Sequence, residues 1–152
     1  MKKIVYVDMD GVLVDLVGQV YLSFYKDEIA DLGVGNIIDD YPFIFNNADP
    51  LEGAVEAFNK LASSPKYDVY ILSTAPWANE QSWTIKRRWV ENHLGKLAHK
   101  RLILSHHKNL LKGDYLIDDR IKNGVDKFAG EHIHFGQSSF PDWASVLKYL
   151  KP

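Results

Sequence analysis

Cysteine is absent from the 152 residues, which excludes a disulfide framework, a cysteine-based zinc site and a thiol nucleophile. An excess of one charge is lacking too. The formal net charge is −2, so no global pull draws the chain toward a nucleic acid polymer or an acidic membrane. No apolar run approaches the ~20 residues of a membrane span. The run after Met1-Lys2-Lys3 stops within a few residues at Asp8, too short for a secretory core. Internal repeats, low-complexity tracts and dividing linkers are missing as well. What remains is 46% apolar and 25% charged residues, the balance of a soluble globular protein. The expectation is one domain, residues 1–152, in the cytoplasm.

Strand-like runs at residues 3–8, 67–73, 101–105, 115–118 and 132–135 alternate with helical patterns. Residues 79–94 carry Ile85, Trp89 and Val90 on one side, with Gly95 as a C-terminal stop. Ala54, Val55, Phe58 and Leu61 repeat at helical spacing and end at Ser63-Ser64-Pro65. Ile121, Val125 and Phe128 predict a helix after the fourth strand. Trp143, Val146, Leu147 and Leu150 predict a closing amphipathic helix begun near Pro141. Such alternation predicts an α/β fold: a doubly wound, Rossmann-like parallel sheet of about five strands.

One segment breaks the pattern. Roughly forty residues separate the first strand from Ala54, too many for a single crossover helix. Leu13, Val17, Val20, Tyr21 and Phe24 form a helical stripe there. Gly33 and Gly35 follow, then the aromatic patch Tyr41-Pro42-Phe43-Ile44-Phe45. A small helical cap is expected over approximately residues 14–50, above the carboxyl edge of the sheet.

The chemistry gathers at strand ends. Asp8 and Asp10 follow the apolar run Ile4-Val5-Tyr6-Val7, where a buried strand empties into a loop. Unpaired buried charge is costly, so a bound cation or phosphate chemistry explains two acids there. Ser73-Thr74 ends the second strand, Lys108 precedes the fourth, and Asp118-Asp119 ends the fourth. A chain that winds one way from strand one and returns to its other side makes strands one and four neighbours. That is a topological switch point, and it gathers Asp8, Asp10, Asp118 and Asp119. Three or four carboxylates so close cannot all stay ionised without a cation. Hard oxygen ligands suit Mg²⁺.

Asp8-Met9-Asp10-Gly11-Val12, the Ser73 hydroxyl, Lys108 and Asp118-Asp119 resemble, in order and strand context, the four motifs of the haloacid dehalogenase superfamily. Residues 8–15, residues 50–54, Lys86 with Trp89-Val90, and residues 113–120 are similar, more narrowly, to the 5′(3′)-deoxyribonucleotidases. The resemblance implies a phosphomonoesterase in which Asp8 attacks phosphorus and forms an aspartyl-phosphate. Asp10 then serves as general acid and base. It implies Mg²⁺ held by Asp8, the Asp10 backbone carbonyl, Asp118 and Asp119, and phosphate bound by Gly11, Ser73, Thr74, Lys86 and Lys108.

The sequence also departs from that branch. Leu16 stands where the family carries an aromatic residue that stacks on the base. His106 stands where it tends to have Arg, and Trp77 near where it has Lys. The expected base wall is therefore Phe43, Phe45 and Trp77. Trp83 and Trp89 are expected to pack their helix on the sheet, His106-His107 to form a surface loop, and Asp15 and Asp114 to serve local structure. The partner is a small phosphomonoester, with a nucleotide first. A different phosphometabolite and a non-catalytic binding module are the alternatives, and a homodimer stays open.

Overall fold

The apolar run at β1 (Lys3–Val7) forms the central strand of a five-stranded parallel sheet in the computed structural model, which describes every residue except Pro42. The other strands are β2 (Tyr67–Ser73), β3 (Leu102–Leu104), β4 (Tyr115–Asp118) and β5 (Glu131–His134). All five expected strands are present, and their ends move by no more than one residue. The order is β3-β2-β1-β4-β5. The chain therefore winds outward from β1 through β2 to β3, then returns to the other side of β1. This is the predicted switch of direction.

Seven helices accompany the sheet among the described residues. Four short ones fill the segment after β1: α1 (Leu16–Ser23), α2 (Lys26–Leu32), α3 (Val34–Asp40) and α4 (Phe43–Asn47). The longer ones are α5 (Ala54–Ser63), α6 (Glu80–Leu94) and α7 (Trp143–Leu150). Capping follows the sequence signals. Asn79 accepts from the Ser82 N–H at the start of α6, and Asp142 accepts from the Ser145 N–H at the start of α7. Asp15 caps α1 by accepting from the Gly18 N–H (2.8 Å), and Asp114 accepts from the Ile4 N–H (2.8 Å).

Alternation along the strands sends side chains to two unequal cores. Val5, Val7, Val69, Ile71, Ile117 and Ile133 join the large one, with α5, α6, α7 and the apolar sides of α1 to α4. Tyr6, Leu72 and Leu116 face a smaller one closed by Val125 and Phe128. That second face holds the main correction to the sequence reading. Ile121, Val125 and Phe128 do not lie on an α-helix: only a 3₁₀ turn, Val125–Lys127, forms, and Ile121 is exposed. Asn123 (φ 55°) and Gly124 (φ 84°) both adopt left-handed backbone, which breaks the helical path between Ile121 and Val125 and leaves only the short turn that follows. Trp89 is buried as expected, whereas Trp83 is partly exposed. No helix of the described residues is long and apolar enough to cross a membrane.

Candidate active site

β1 and β4 pair as far as Val7 opposite Ile117, so Asp8 and Asp118 stand one residue further, at the mouth of two adjacent strands. The Asp8 N–H donates to the Ile117 carbonyl (2.9 Å), which extends the ladder to Asp8 itself. The chain then folds sharply: the N–H groups of Val12, Leu13 and Val14 all converge on the Met9 carbonyl (3.2, 2.7 and 2.8 Å). Gly11 makes the turn at φ +75°, and a Cβ there would lie 2.5 Å from Asp119 Oδ2. Only glycine lets this loop pass the second acid of the β4 end. The Gly11 N–H, expected to serve phosphate, donates instead to the Val14 carbonyl (3.0 Å). Its job in this structure is to close the turn.

Asp8, Asp118 and Asp119 each bring an oxygen within 4.8 Å of the others. Lys108 sits among them with its Nζ 3.0 Å from Asp8 Oδ1 and 2.5 Å from Asp118 Oδ2. Burial alone would lower this lysine's pKa, but the Asp8 and Asp118 charges outweigh it, and the net shift is upward. Burial, reinforced by Asp8, pushes Asp118 up to about 7 against the pull of Lys108. The same two causes raise Asp119 to about 6. The cluster holds more negative charge than one lysine neutralises.

Two of its oxygens are buried without a hydrogen-bond partner, Asp8 Oδ1 and Asp119 Oδ1. The first lies within ion-pair distance of Lys108 but out of hydrogen-bond alignment. Mg²⁺ binds oxygen at about 2.0–2.1 Å in octahedral geometry, which sets ligand oxygens roughly 3 to 4 Å apart. Three carboxylates that each bring an oxygen within 4.8 Å of the others, two of them carrying an orphaned oxygen, suit such a hard cation.

Asp10 takes a different partner. Both of its oxygens accept from Lys86 Nζ (2.6 and 2.7 Å), and the same ammonium reaches Ser73 Oγ at 3.1 Å. Lys86 is fully buried, with its charge 4.7 Å above the Phe45 ring. Burial raises the Asp10 pKa, Lys86 opposes it, and Asp8 adds to it; the net shift is upward. The structure thus brings together Asp8, Asp10, Ser73, Lys86, Lys108, Asp118 and Asp119. Thr74 is nearby, but its hydroxyl donates to the Ser105 carbonyl (2.8 Å).

A cleft of about 420 Å³ opens over this cluster, within the range of small-molecule sites. Asp8, Asp10, Lys108 and Asp118 line its floor, and Trp77, 81% exposed, lines its rim edge-on to His106. The other two expected wall residues lie elsewhere. Phe45 is buried beneath Lys86, and Phe43 stacks on Phe24 (5.9 Å), so neither lines the cleft. The aromatic patch is the insertion's own packing.

Sequence reasoning missed Asp39 and Asp40, which end α3 at the cleft rim, and Arg120, Lys122 and Asn123 on the loop after β4. Adjacency to Asp119 was the only available signal for the latter group. A larger groove, about 690 Å³, runs between α6 and β3, but no cluster of carboxylates lines it.

Fold and site together define a hydrolase of the haloacid dehalogenase type. Solved structures agree at the level of fold. The Bacillus subtilis HAD-hydrolase YfnB matches with a TM-score of 0.64 at 9% identity, over 99% of each chain. A haloacid dehalogenase-like protein from Streptococcus pneumoniae matches at 0.56 and 12% identity, over 98% of each chain. A profile for the 5′ nucleotidase, deoxy (pyrimidine), cytosolic type C proteins matches residues 38–143.

A Vibrio phage KVP40 protein provisionally named 5′(3′)-deoxyribonucleotidase is 53% identical over 98% of this chain and 85% of its own length. The 5′(3′)-deoxyribonucleotidase of Bacillus subtilis is 30% identical over 89% and 86%. The chain belongs to the 5′(3′)-deoxyribonucleotidase family of phosphoric monoester hydrolases.

Proposed function

We propose that this protein is a Mg²⁺-dependent phosphatase of deoxyribonucleoside 5′(3′)-monophosphates that works through an aspartyl-phosphate on Asp8. The observation that carries the reading is the division of labour between two acids two residues apart. Asp8, on the cleft floor, has an oxygen with no hydrogen-bond partner and only the Lys108 charge beside it, whereas both Asp10 oxygens are held by Lys86. An Asp8 oxygen attacks phosphorus as the bond to the leaving alkoxide breaks, and Asp10 gives that alkoxide its proton. Asp10 then takes a proton from water as the water attacks the phosphoenzyme, releasing phosphate and restoring Asp8.

For Asp10 to carry a proton at the start, Lys86 must let go of one of its oxygens. An arriving phosphate dianion supplies the competing charge. Lys86 then moves from acid to phosphoryl oxygen, beside the Ser73 hydroxyl it already contacts (3.1 Å). Lys108, between Asp8 and Asp118, neutralises a second phosphoryl oxygen. Asp8, Asp118 and Asp119, with the Asp10 backbone carbonyl, would hold Mg²⁺, which would supply positive charge beside a carboxylate nucleophile and an anionic substrate. A magnesium-bound neighbour, YfnB, supports the choice of ion. Residues 14–50 act as the cap that selects substrate, and Trp77 offers the base a stacking face. The human relative at 32% identity is a cytosolic type, which supports a cytoplasmic setting.

A second reading, a phosphatase of another small phosphometabolite, is favoured by one observation. The cleft rim carries the polar Asp39, Asp40, Arg120, Lys122 and Asn123 alongside Ile38, Pro76 and Ala78, and a single tryptophan. One screen separates the two: kcat/KM with and without Mg²⁺ on matched deoxy- and ribonucleoside monophosphates, sugar phosphates and an aryl phosphate. Magnesium-dependent turnover led by the deoxyribonucleotides is expected. Sugar phosphates ahead of every nucleotide would establish the second reading, and no turnover of any ester would sink both.

A further inference from the structure

β5 carries two histidines, His132 and His134, two residues apart and therefore on one face of the strand. Both are half-buried, and their rings lie side by side with centroids 4.9 Å apart and planes 28° apart. Neither lines the cleft, and neither has a role in the chemistry above. Each ring instead reaches toward the end of β4. His132 Nε2 lies 3.0 Å from the Asp118 carbonyl oxygen, and His134 Nε2 lies 3.1 Å from the Asp119 carbonyl oxygen. A carbonyl only accepts, so each Nε2 carries the proton and donates.

These two carbonyls occupy a special position. β4 ends at Asp118, and its ladder with β5 stops at the Asp118–His134 pair. Asp119 is the first residue past the sheet. The Asp118 carbonyl belongs to the peptide plane before Asp119, and the Asp119 carbonyl to the plane after it. Peptide groups are rigid planes, so holding both fixes φ and ψ of Asp119 and with them the direction of its side chain. The Phe135 N–H also donates to the Asp118 carbonyl (3.0 Å), which anchors the first plane twice. The result is that Asp118 and Asp119, adjacent in sequence, both turn an oxygen toward Asp8. Neighbours in a continuing strand would point to opposite faces.

We propose that His132 and His134 are positioning residues for the cation site: the two imidazoles clamp the peptide planes around Asp119 so that its carboxylate converges with those of Asp118 and Asp8. The proposal rests on the reading of these three acids as cation ligands. Partners that orient a metal's ligands typically contribute 10- to 100-fold in metal affinity or activity, and that is the scale expected here.

The test is Mg²⁺ binding to the full chain by calorimetry, with activity measured across a Mg²⁺ series. His132→Leu and His134→Leu remove the donors. They should weaken Mg²⁺ binding by about 10- to 100-fold, with kcat recovering at high Mg²⁺. His132→Gln and His134→Gln, whose side-chain amides can present an N–H at a similar reach, should stay near the parent. If a leucine variant fails to fold, His132→Asn keeps a polar side chain too short to reach the carbonyl, and weak binding there beside near-parent binding in His132→Gln is the same signature. Parent-like Mg²⁺ binding in the leucine or asparagine variants would overturn the clamp, even if their melting temperatures fall. Failure of the unsubstituted protein to bind Mg²⁺ would overturn the cation reading and the clamp with it.

Discussion

Around Asp8 the polar groups are cross-tied over long stretches of chain. Lys108 bridges Asp8 and Asp118, Lys86 bridges Asp10 and Ser73, and His132 and His134 hold the backbone beyond β4. The helical insertion, residues 16–47, is built differently. Its helices have 8, 7, 7 and 5 residues, all too short to persist alone in water. Apolar contacts through Leu16, Val20, Ile29, Ile37, Ile44 and Phe45 hold them, while Val17, Tyr21, Leu22 and Tyr25 stay exposed. Few polar bonds join the two regions. One is Asn79 Nδ2, at the start of α6, donating to the Asp39 carbonyl (3.2 Å); just past the insertion, Trp89 Nε1 donates to the Ala48 carbonyl (2.8 Å). Atoms that react must be held to fractions of an ångström, and directional bonds do that. A region away from those atoms can rest on packing, which tolerates repacking.

The sharpest way to break this contrast is at the nucleophile. Asp8→Asn keeps shape but cannot attack phosphorus, so kcat should fall by about 10⁴-fold or more while circular dichroism stays native. Substantial turnover in a verified preparation would remove the covalent route.

Asp10→Asn comes next. Turnover of an alkyl phosphate should drop about 10²- to 10⁴-fold, and that of an aryl phosphate with a good leaving group far less. Equal losses would make Asp10 a structural or metal-holding residue.

Cation removal tests the crowding of charge. Without the ion, Asp118 titrates near 7 and Asp119 near 6, above the value of about 4 in the unfolded chain. For acids raised in this way, stability is fully present below about pH 4 and declines as pH climbs through 6 and 7, because the unfolded chain loses its protons first. Mg²⁺ prefers the ionised acids. Its stabilising shift in Tm should therefore be larger near pH 8 than near pH 5, read against a chelator control. Equal shifts at both values would mean that these carboxylates are not the ligands.

Away from the acid cluster, at the cleft rim and on the insertion, the effects shrink. Base–aromatic stacking is worth roughly 1–3 kcal/mol, so Trp77→Ala should raise KM for nucleotides about ten-fold and leave an aryl phosphate unchanged. Phe43→Ala, away from the cleft, should alter neither; a matching rise there would return the aromatic patch to the substrate wall. Smallest is Asn79→Ala, which removes the α6 cap and one tie to α3. It should cost about 1 kcal/mol, roughly 2–4 °C in Tm, with kcat unchanged. A loss of kcat would mean that the two regions are coupled more tightly than their few bonds suggest.

Several features are legible in the sequence alone. The apolar runs marked all five strands, and the strand-end position of Asp8 and Asp118 followed from their order along the chain. Asn79 and Gly95 bracketed α6. The helix expected through Ile121, Val125 and Phe128 failed because three apolar residues at the right spacing do not outweigh an Asn-Gly pair that turns left-handed. Phe45 looked like a ligand wall because its ring sits in an aromatic patch, and nothing local showed that Lys86, some forty residues later, would cover it.

The sequence by itself determined the class of fold, the family and which acids stand at the strand ends, because strand periodicity and motif order are properties of neighbouring residues. Tertiary structure decided the partners. It set Lys86 on Asp10 and not at an open phosphate site, turned the Gly11 N–H inward to Val14, and brought two histidines of β5 behind Asp118 and Asp119. Those pairings join residues 14 to 76 positions apart in all but the Gly11 turn. They depend on how the sheet orders its strands and where each side chain meets another, and no local pattern encodes that.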